Sequence, residues 1–340
     1  MSELPIIPAT VVGSHAKPAW WHRCKDLLER GEWGASDLEE LLSDAVDVAI
    51  LDQERAGLDI ISDGESRRLD GYVDGYYGII GGIRALPVGR LDGPWGYDQQ
   101  TRYEAVSDIK APEGLGIVAE FEYLFNHTDL PTKVTCAGPL TFGSRIHPRD
   151  VYESPVAVAE RFAHVINSEL KALVEAGATF IQIDEPARGN ITGAEMARLF
   201  NLATEGVDAK LAYHICFGNR YGRARFKRHY ADYYPGLLDA RADQFVVEFA
   251  AREMYEVEHF AEWSDGRELG AGVVDVKSFH PETAEDVAER IRTVLKHVPA
   301  DRLYVNPDCG FGWSPRYMAV GKLDALVAGA KVVREELGNA

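Results

Sequence analysis

The chain has 340 residues, 46% hydrophobic and 26% charged, a globular balance that excludes disordered, collagen-like and coiled-coil classes. A formal net charge of −18 argues against nucleic acid or an anionic membrane as the main partner. No apolar run reaches the roughly eighteen residues of a membrane span, and no basic-then-apolar segment marks secretion at Met1, so a cytoplasmic enzyme is expected.

In chain order, eight short apolar runs alternate with helical patterns: Thr10–Ser14, Leu58–Gly64, Thr132–Pro139, Thr179–Pro186, Lys210–Phe217, Gln244–Ala250, Glu268–Asp275 and Leu303–Gly310. After the first, Ser36 to Glu39 reads as a capping box, followed by Leu38, Leu41, Leu42, Ala45 and Ala49 on one face. Between the second and third, the segment 68–130 is rich in Gly and aromatic residues, with hairpin-like punctuation and no clean period. It is expected to be an insertion, a lid or substrate wall rather than an oligomer contact, though a homo-oligomer stays open. A helix is expected over Val156 to Gly177, with Gly177 as its C′ residue, and another over Thr283 to Val298.

Strands that each lead into helical sequence favour parallel pairing with right-handed crossovers. The fold class expected is therefore α/β, a single (β/α)₈ TIM barrel over 1–340 carrying the 68–130 insertion. An open doubly wound sheet is the alternative, and no G-x-G-x-x-G follows the first run to support it.

Polar residues gather where those strands end. The fifth run places His214 and Cys216 at i and i+2, on one side of a strand; the sixth offers Glu248 and the eighth Cys309. Imidazole, thiolate and carboxylate together suit Zn²⁺ in a tetrahedral site, whereas Cys24 and Cys136 read as packing. The second run ends in Asp63 and Glu65, and the fourth in Asp184 and Glu185. Ion pairs to Arg67, Arg68 or Arg188 are the bland account of these carboxylates. The functional account is capture of a substrate ammonium by Glu65 and Asp184, with the Val12-Gly13-Ser14 turn meeting its carboxylate.

The motifs VVGSHAKP, GLDIISDGESRR, AGPLTF, IQIDEPA, HIC, VVEFA, GVVDVKS and VNPDCGF, in that order, resemble the carboxy-terminal catalytic barrel of cobalamin-independent methionine synthase. The resemblance implies a (β/α)₈ barrel and a zinc ion that activates a thiol, homocysteine, for methylation in methionine biosynthesis. It implies His214, Cys216, Glu248 and Cys309 as zinc ligands, and Gly13, Ser14, Glu65 and Asp184 at the amino-acid substrate, Asp184 also counting as catalytic. The chain is similar to the single-barrel members. Where folate-using members place a tryptophan after G-P-x-T, this chain has Arg145 or its neighbours; the segment after IDEPA shortens to RGNITG. Lys277 replaces the histidine of D-I-H-S and is assigned its proton-handling role. These departures disfavour methyltetrahydrofolate as donor unless aromatics of the insertion, such as Trp95 and Tyr97, build a platform for it.

Two thiolates, one carboxylate and a neutral imidazole around Zn²⁺ give a net charge of about −1, which keeps a bound sulfur nucleophilic. The expected partners are thus a small thiol and an alkyl donor. Alternatives are transfer of an epoxide- or ether-derived alkyl group to another thiol, or a structural zinc site in a barrel of other purpose. Five cations between Arg220 and Arg228 read as a solvated face or as a docking patch for an anionic donor tail.

Overall fold

The computed structural model describes residues 4–69, 72–87, 89–90, 99–186, 191–219, 222–224, 227, 229–262 and 266–338. Its centre is a six-stranded, wholly parallel sheet in the order β11-β10-β9-β8-β7-β5. These strands are β5 (Val134–Ala137), β7 (Phe180–Asp184), β8 (Lys210–Ile215), β9 (Gln244–Glu248), β10 (Glu268–Val274) and β11 (Leu303–Pro307). Nearly every residue of the six is buried, as continuous apolar runs require when helices cover a parallel sheet.

The first two expected strands take a different form. They join the sheet through isolated parallel bridges, Ala9 to Val305, Thr10 to Ile60 and Ile61 to Thr132. Side chains take up backbone groups that a ladder would otherwise use. The Asp59 carboxylate accepts from Ala9 N at 2.7 Å, Gln182 donates to Val12 O at 2.7 Å, and Lys133 donates to Val11 O.

The helices are α1 (Ala19–Glu29), α2 (Ala35–Ala56), α3 (Ile117–Asn126), α4 (Pro139–Gly143), α5 (Pro155–Glu175), α6 (Gly193–Ala203), α7 (Ala284–Leu295) and α8 (Arg316–Glu336). Among the described residues, none is long and apolar enough to cross a membrane. The α2 helix begins two residues before the expected cap: Gly34 is the N-cap, and Asp37 accepts its N–H at 2.8 Å. The end of α5 is as expected. Gly177, at φ 103°, donates to Val174 O, and Ala178 N donates to Leu173 O, a Schellman closure. At α7, Thr283 and Asp286 form a reciprocal capping box.

Within 68–130, β1 (Gly81–Ala85) pairs antiparallel with β4 (Tyr103–Lys110), and β4 runs parallel to β6 (Ile146–His147). The short strands β2 (Gly89–Arg90) and β3 (Gln99–Gln100) pair beyond them. The segment then forms α3, whose Ile117, Phe121 and Leu124 are buried at helical spacing, a period the sequence reading missed among the preceding glycines. Trp95 and Tyr97 lie outside the described residues.

Candidate active site

At the carboxyl ends of the sheet strands, His214, Cys216 and Cys309 present ligand atoms that all lie within 4.8 Å of one another. The fold explains why. His214 and Cys216 share the inner side of the β8 edge, while Tyr213, just before them, turns outward onto Phe200 of α6, ring centroids 4.4 Å apart. Cys309 follows the end of β11, and its Sγ stands 3.6 Å from that of Cys216. The His214 Nδ1–H donates to Val246 O at 3.1 Å, which leaves Nε2 as the lone-pair nitrogen; it is buried and has no hydrogen-bond partner.

The Cys216 S–H bond, with His214 behind it, holds Cys309 well below the ordinary thiol range, while that same contact and burial push Cys216 up. Burial opposes the His214 imidazolium, yet Cys309 and Asp184 outweigh it and raise its pKa.

Glu248, the last residue of β9 and fully buried, adjoins this trio without belonging to it. Its Oε2 lies 2.8 Å from Lys277 Nζ and accepts from Phe217 N at 3.3 Å; its Oε1 has no hydrogen-bond partner. Lys277 is therefore the counter-ion of Glu248. Burial works against its charge, but Glu248 and Asp308 outweigh it and raise its pKa.

Beside the cluster opens a cavity of about 170 Å³ whose lining includes His214, Cys216, Cys309, Ser14, Glu65 and Asp184. Glu65 adopts left-handed backbone, φ 51°, which costs on the order of 1–3 kcal/mol in a non-glycine residue. Its Oε1 accepts from Thr135 Oγ1 at 2.9 Å and lies 3.0 Å from Arg68, so the structural ion pair and the cavity position coexist. A Cβ on Gly13 would fall 2.8 Å from that same oxygen, and one on Gly310 would fall 2.0 Å from Ser14 Oγ. Gly13 thus lets the carboxylate approach the turn, and Gly310 lets the Cys309 loop approach Ser14. Asp184, at the end of β7, accepts from Gln182 Nε2 at 2.6 Å; burial is the main force pushing its pKa up to about 7. Glu185 is structural, bonding Leu140 N and Thr141 Oγ1 at the start of α4.

From the 68–130 segment, Tyr72, Val73 and Asp74 line the cavity. Tyr72 donates to Asp184 O at 3.3 Å, Tyr77 to Phe142 O at 2.6 Å, and Arg145 Nη2 to Asp74 Oδ2 at 3.0 Å. Tyr72 is one of the insertion aromatics that sequence reasoning offered as a platform, while it missed Trp313 as a cavity aromatic. It also missed Asp308, whose carboxylate gathers the N–H groups of Phe249, Ala250 and Ala251 at 2.6–2.9 Å and so ties the loop after Glu248 to Cys309. The acidic residue inside NPDCG was the available signal. Of the basic cluster, Arg220, Arg225 and Arg228 lie outside the described residues, while Lys227 makes an exposed ion pair to Asp232 at 3.0 Å.

The family model for the cobalamin-independent synthase catalytic domain matches residues 7–332, strand ends and cavity included. The chain belongs to the cobalamin-independent methionine synthase family. Among its relatives in that family, a methionine synthase of Saccharolobus solfataricus is 36% identical over 344 residues, covering 99% of this chain and 98% of the relative. One of Thermococcus kodakarensis is 35% identical over 340 residues, covering 99% and 96%. A solved B12-independent methionine synthase from a Shewanella species, in complex with selenomethionine, superposes with a TM-score of 0.80 at 27% identity, covering 98% of this chain and all of that one.

Proposed function

We propose that this chain is a zinc-dependent methyltransferase that methylates a small thiol, homocysteine, to give methionine. One observation carries the reading. Two thiols and a buried imidazole nitrogen without a partner meet in a cavity whose lining also holds the acceptors Glu65 and Asp184, and the buried Glu248, one oxygen without a partner, adjoins them. Unpaired buried acceptors are costly, and this donor set is one that Zn²⁺ fits. His214, Cys216, Glu248 and Cys309 would hold the ion. When bound, zinc would supply a Lewis acid that lowers the pKa of a coordinated thiol, whose proton leaves to solvent, and keeps the sulfur nucleophilic at neutral pH.

The chain's own residues do the rest. Asp184 and Glu65 accept the substrate ammonium, the Gly13-Ser14 turn meets its carboxylate, and the thiol end then points at Cys216 and Cys309. Lys277 holds Glu248 in place by charge. The wall from Tyr72 to Asp74 narrows the approach and leaves Trp313 as a flat surface on the donor's side. The selenomethionine bound by the Shewanella relative supports an amino-acid substrate of this size. We read the six-stranded sheet, together with the bridged segments at Ala9–Thr10 and Ile60–Ile61, as the closed (β/α)₈ barrel expected from sequence.

The test is metal analysis followed by zinc-edge absorption spectroscopy with and without homocysteine. One zinc per chain and a new zinc–sulfur bond on adding the thiol are expected. A metal-free protein, or a four-ligand protein shell that the thiol leaves unchanged, would overturn the reading.

A further inference from the structure

Lys133 is buried inside the sheet, 1% exposed, and among the described contacts no carboxylate touches its ammonium. A buried ammonium is expensive unless strongly bonded, and an apolar side chain would cost the fold less there. Its bonds show a use for it. The Nζ donates to Val11 O and, at 2.8 Å, to Gln182 Oε1. The Val12 carbonyl can only accept, and with Lys133 donating from the other side it fixes which end of the Gln182 amide is oxygen. The Gln182 NH₂ must then face the other way, where it donates to Val12 O at 2.7 Å and to Asp184 Oδ1 at 2.6 Å. Both amide hydrogens are spent, one on each side of the amino-acid site. Thr135, two residues after Lys133 on the same face, holds Glu65 at 2.9 Å, and Thr135 and Gln182 are register partners across β5 and β7.

We propose that Lys133 and Gln182 are positioning residues, a brace that sets the distance between the Val12-Gly13-Ser14 turn and Asp184 and thereby selects amino-acid thiols over simple ones. This rests on the amino-acid methyltransferase reading given above. The brace touches neither the substrate nor the metal cluster. Its loss leaves the thiol end of the cavity intact and disturbs only the end that grips the ammonium and carboxylate.

The experiment is calorimetric titration of zinc-loaded parent, Lys133→Met and Gln182→Glu with L-homocysteine and, separately, with 1-propanethiol. Lys133→Met keeps the chain length and loses the ammonium; Gln182→Glu still accepts from Lys133 but has no N–H for Asp184. Each variant should weaken homocysteine on the order of ten-fold or more while propanethiol stays within about two-fold, the expected cost of lost hydrogen bonds to a charged clamp. Should Lys133→Met fail to fold, Gln182→Glu carries the test alone. Homocysteine affinity kept within two-fold in Gln182→Glu would overturn the brace, as would an equal loss for both thiols, which marks general structural damage. A parent protein that binds neither homocysteine nor zinc would instead overturn the methyltransferase reading beneath it.

Discussion

The ammonium of Lys277 lies 2.8 Å from Oε2 of Glu248, and both side chains are almost wholly shielded from water. Removing one partner of such a pair strands the other charge in the interior. In the zinc-stripped protein, Lys277→Met should therefore cost about 3–5 kcal/mol of stability. Urea unfolding in the presence of a chelator measures it. An unchanged midpoint would mean that Glu248 does not depend on this counter-ion.

Cys216→Ser and Cys309→Ser should each abolish stoichiometric zinc together with activity. Cys136→Ser should keep both, because Cys136 is buried within β5 and its Sγ contacts Ala137 O at 3.4 Å rather than the cluster. Metal analysis of the purified variants decides it, and a Cys309→Ser protein with full zinc would sink the ligand assignment.

Asp184→Asn should weaken an amino-acid thiol by about 1.5–3 kcal/mol, the worth of a hydrogen bond to a charged group, and leave zinc content unchanged. Calorimetry with homocysteine reads the first quantity and metal analysis the second. Equal affinity in parent and variant would remove Asp184 from ammonium recognition.

Acid should loosen the amino-terminal segment from α2 and α8 through Asp52. Burial alone would raise this carboxyl's pKa, but bonds from His15 Nε2 at 2.9 Å and from Arg316 at 2.6 and 2.7 Å bring it down from 3.8 to about 2. The folded pKa lies below the unfolded one, so the stabilisation is complete above about pH 4 and fades as pH falls through 2. Asp52→Asn should lower stability at neutral pH and flatten its dependence between pH 4 and 2. Parallel slopes for parent and variant across that window would show that the pair contributes nothing.

The strands that carry His214, Cys216 and Glu248 were legible because a parallel strand covered on both sides must be apolar along its length, and a polar residue at its end stands out. Of the four residues singled out that way, His214, Cys216 and Cys309 converge, and Glu248 adjoins them. What sequence could not rank was which partner Glu248 keeps: a lysine twenty-nine residues onward reaches it only through the crossover between β9 and β10. The first two strands were read as ordinary ladder members, yet Lys133, Gln182 and Asp59 occupy their backbone groups through long-range contacts. Helix α3 hid for a local reason, since Gly114 and Gly116 precede a three-residue apolar pattern too short to register. Trp313 lies far from the insertion's lining residues in sequence and joins them only at the cavity.

The bridged segments give the two sides of the site unequal footing. Every metal candidate stands on or directly beside a full ladder strand, and so does Asp184; Gly13, Ser14 and Glu65 follow segments that have isolated bridges at Thr10, Ile60 and Ile61 in place of a ladder and lean on side-chain bonds from Asp59, Gln182 and Lys133. Thermal fluctuation therefore has an order of failure built in. The jaw made of Gly13, Ser14 and Glu65 opens before the jaw at Asp184, and long before the cysteines part. In amide exchange, Thr10 and Ile61 should trade their hydrogens well ahead of Val246 and Ala271, so that a bound amino acid leaves from a site whose metal grip is still closed.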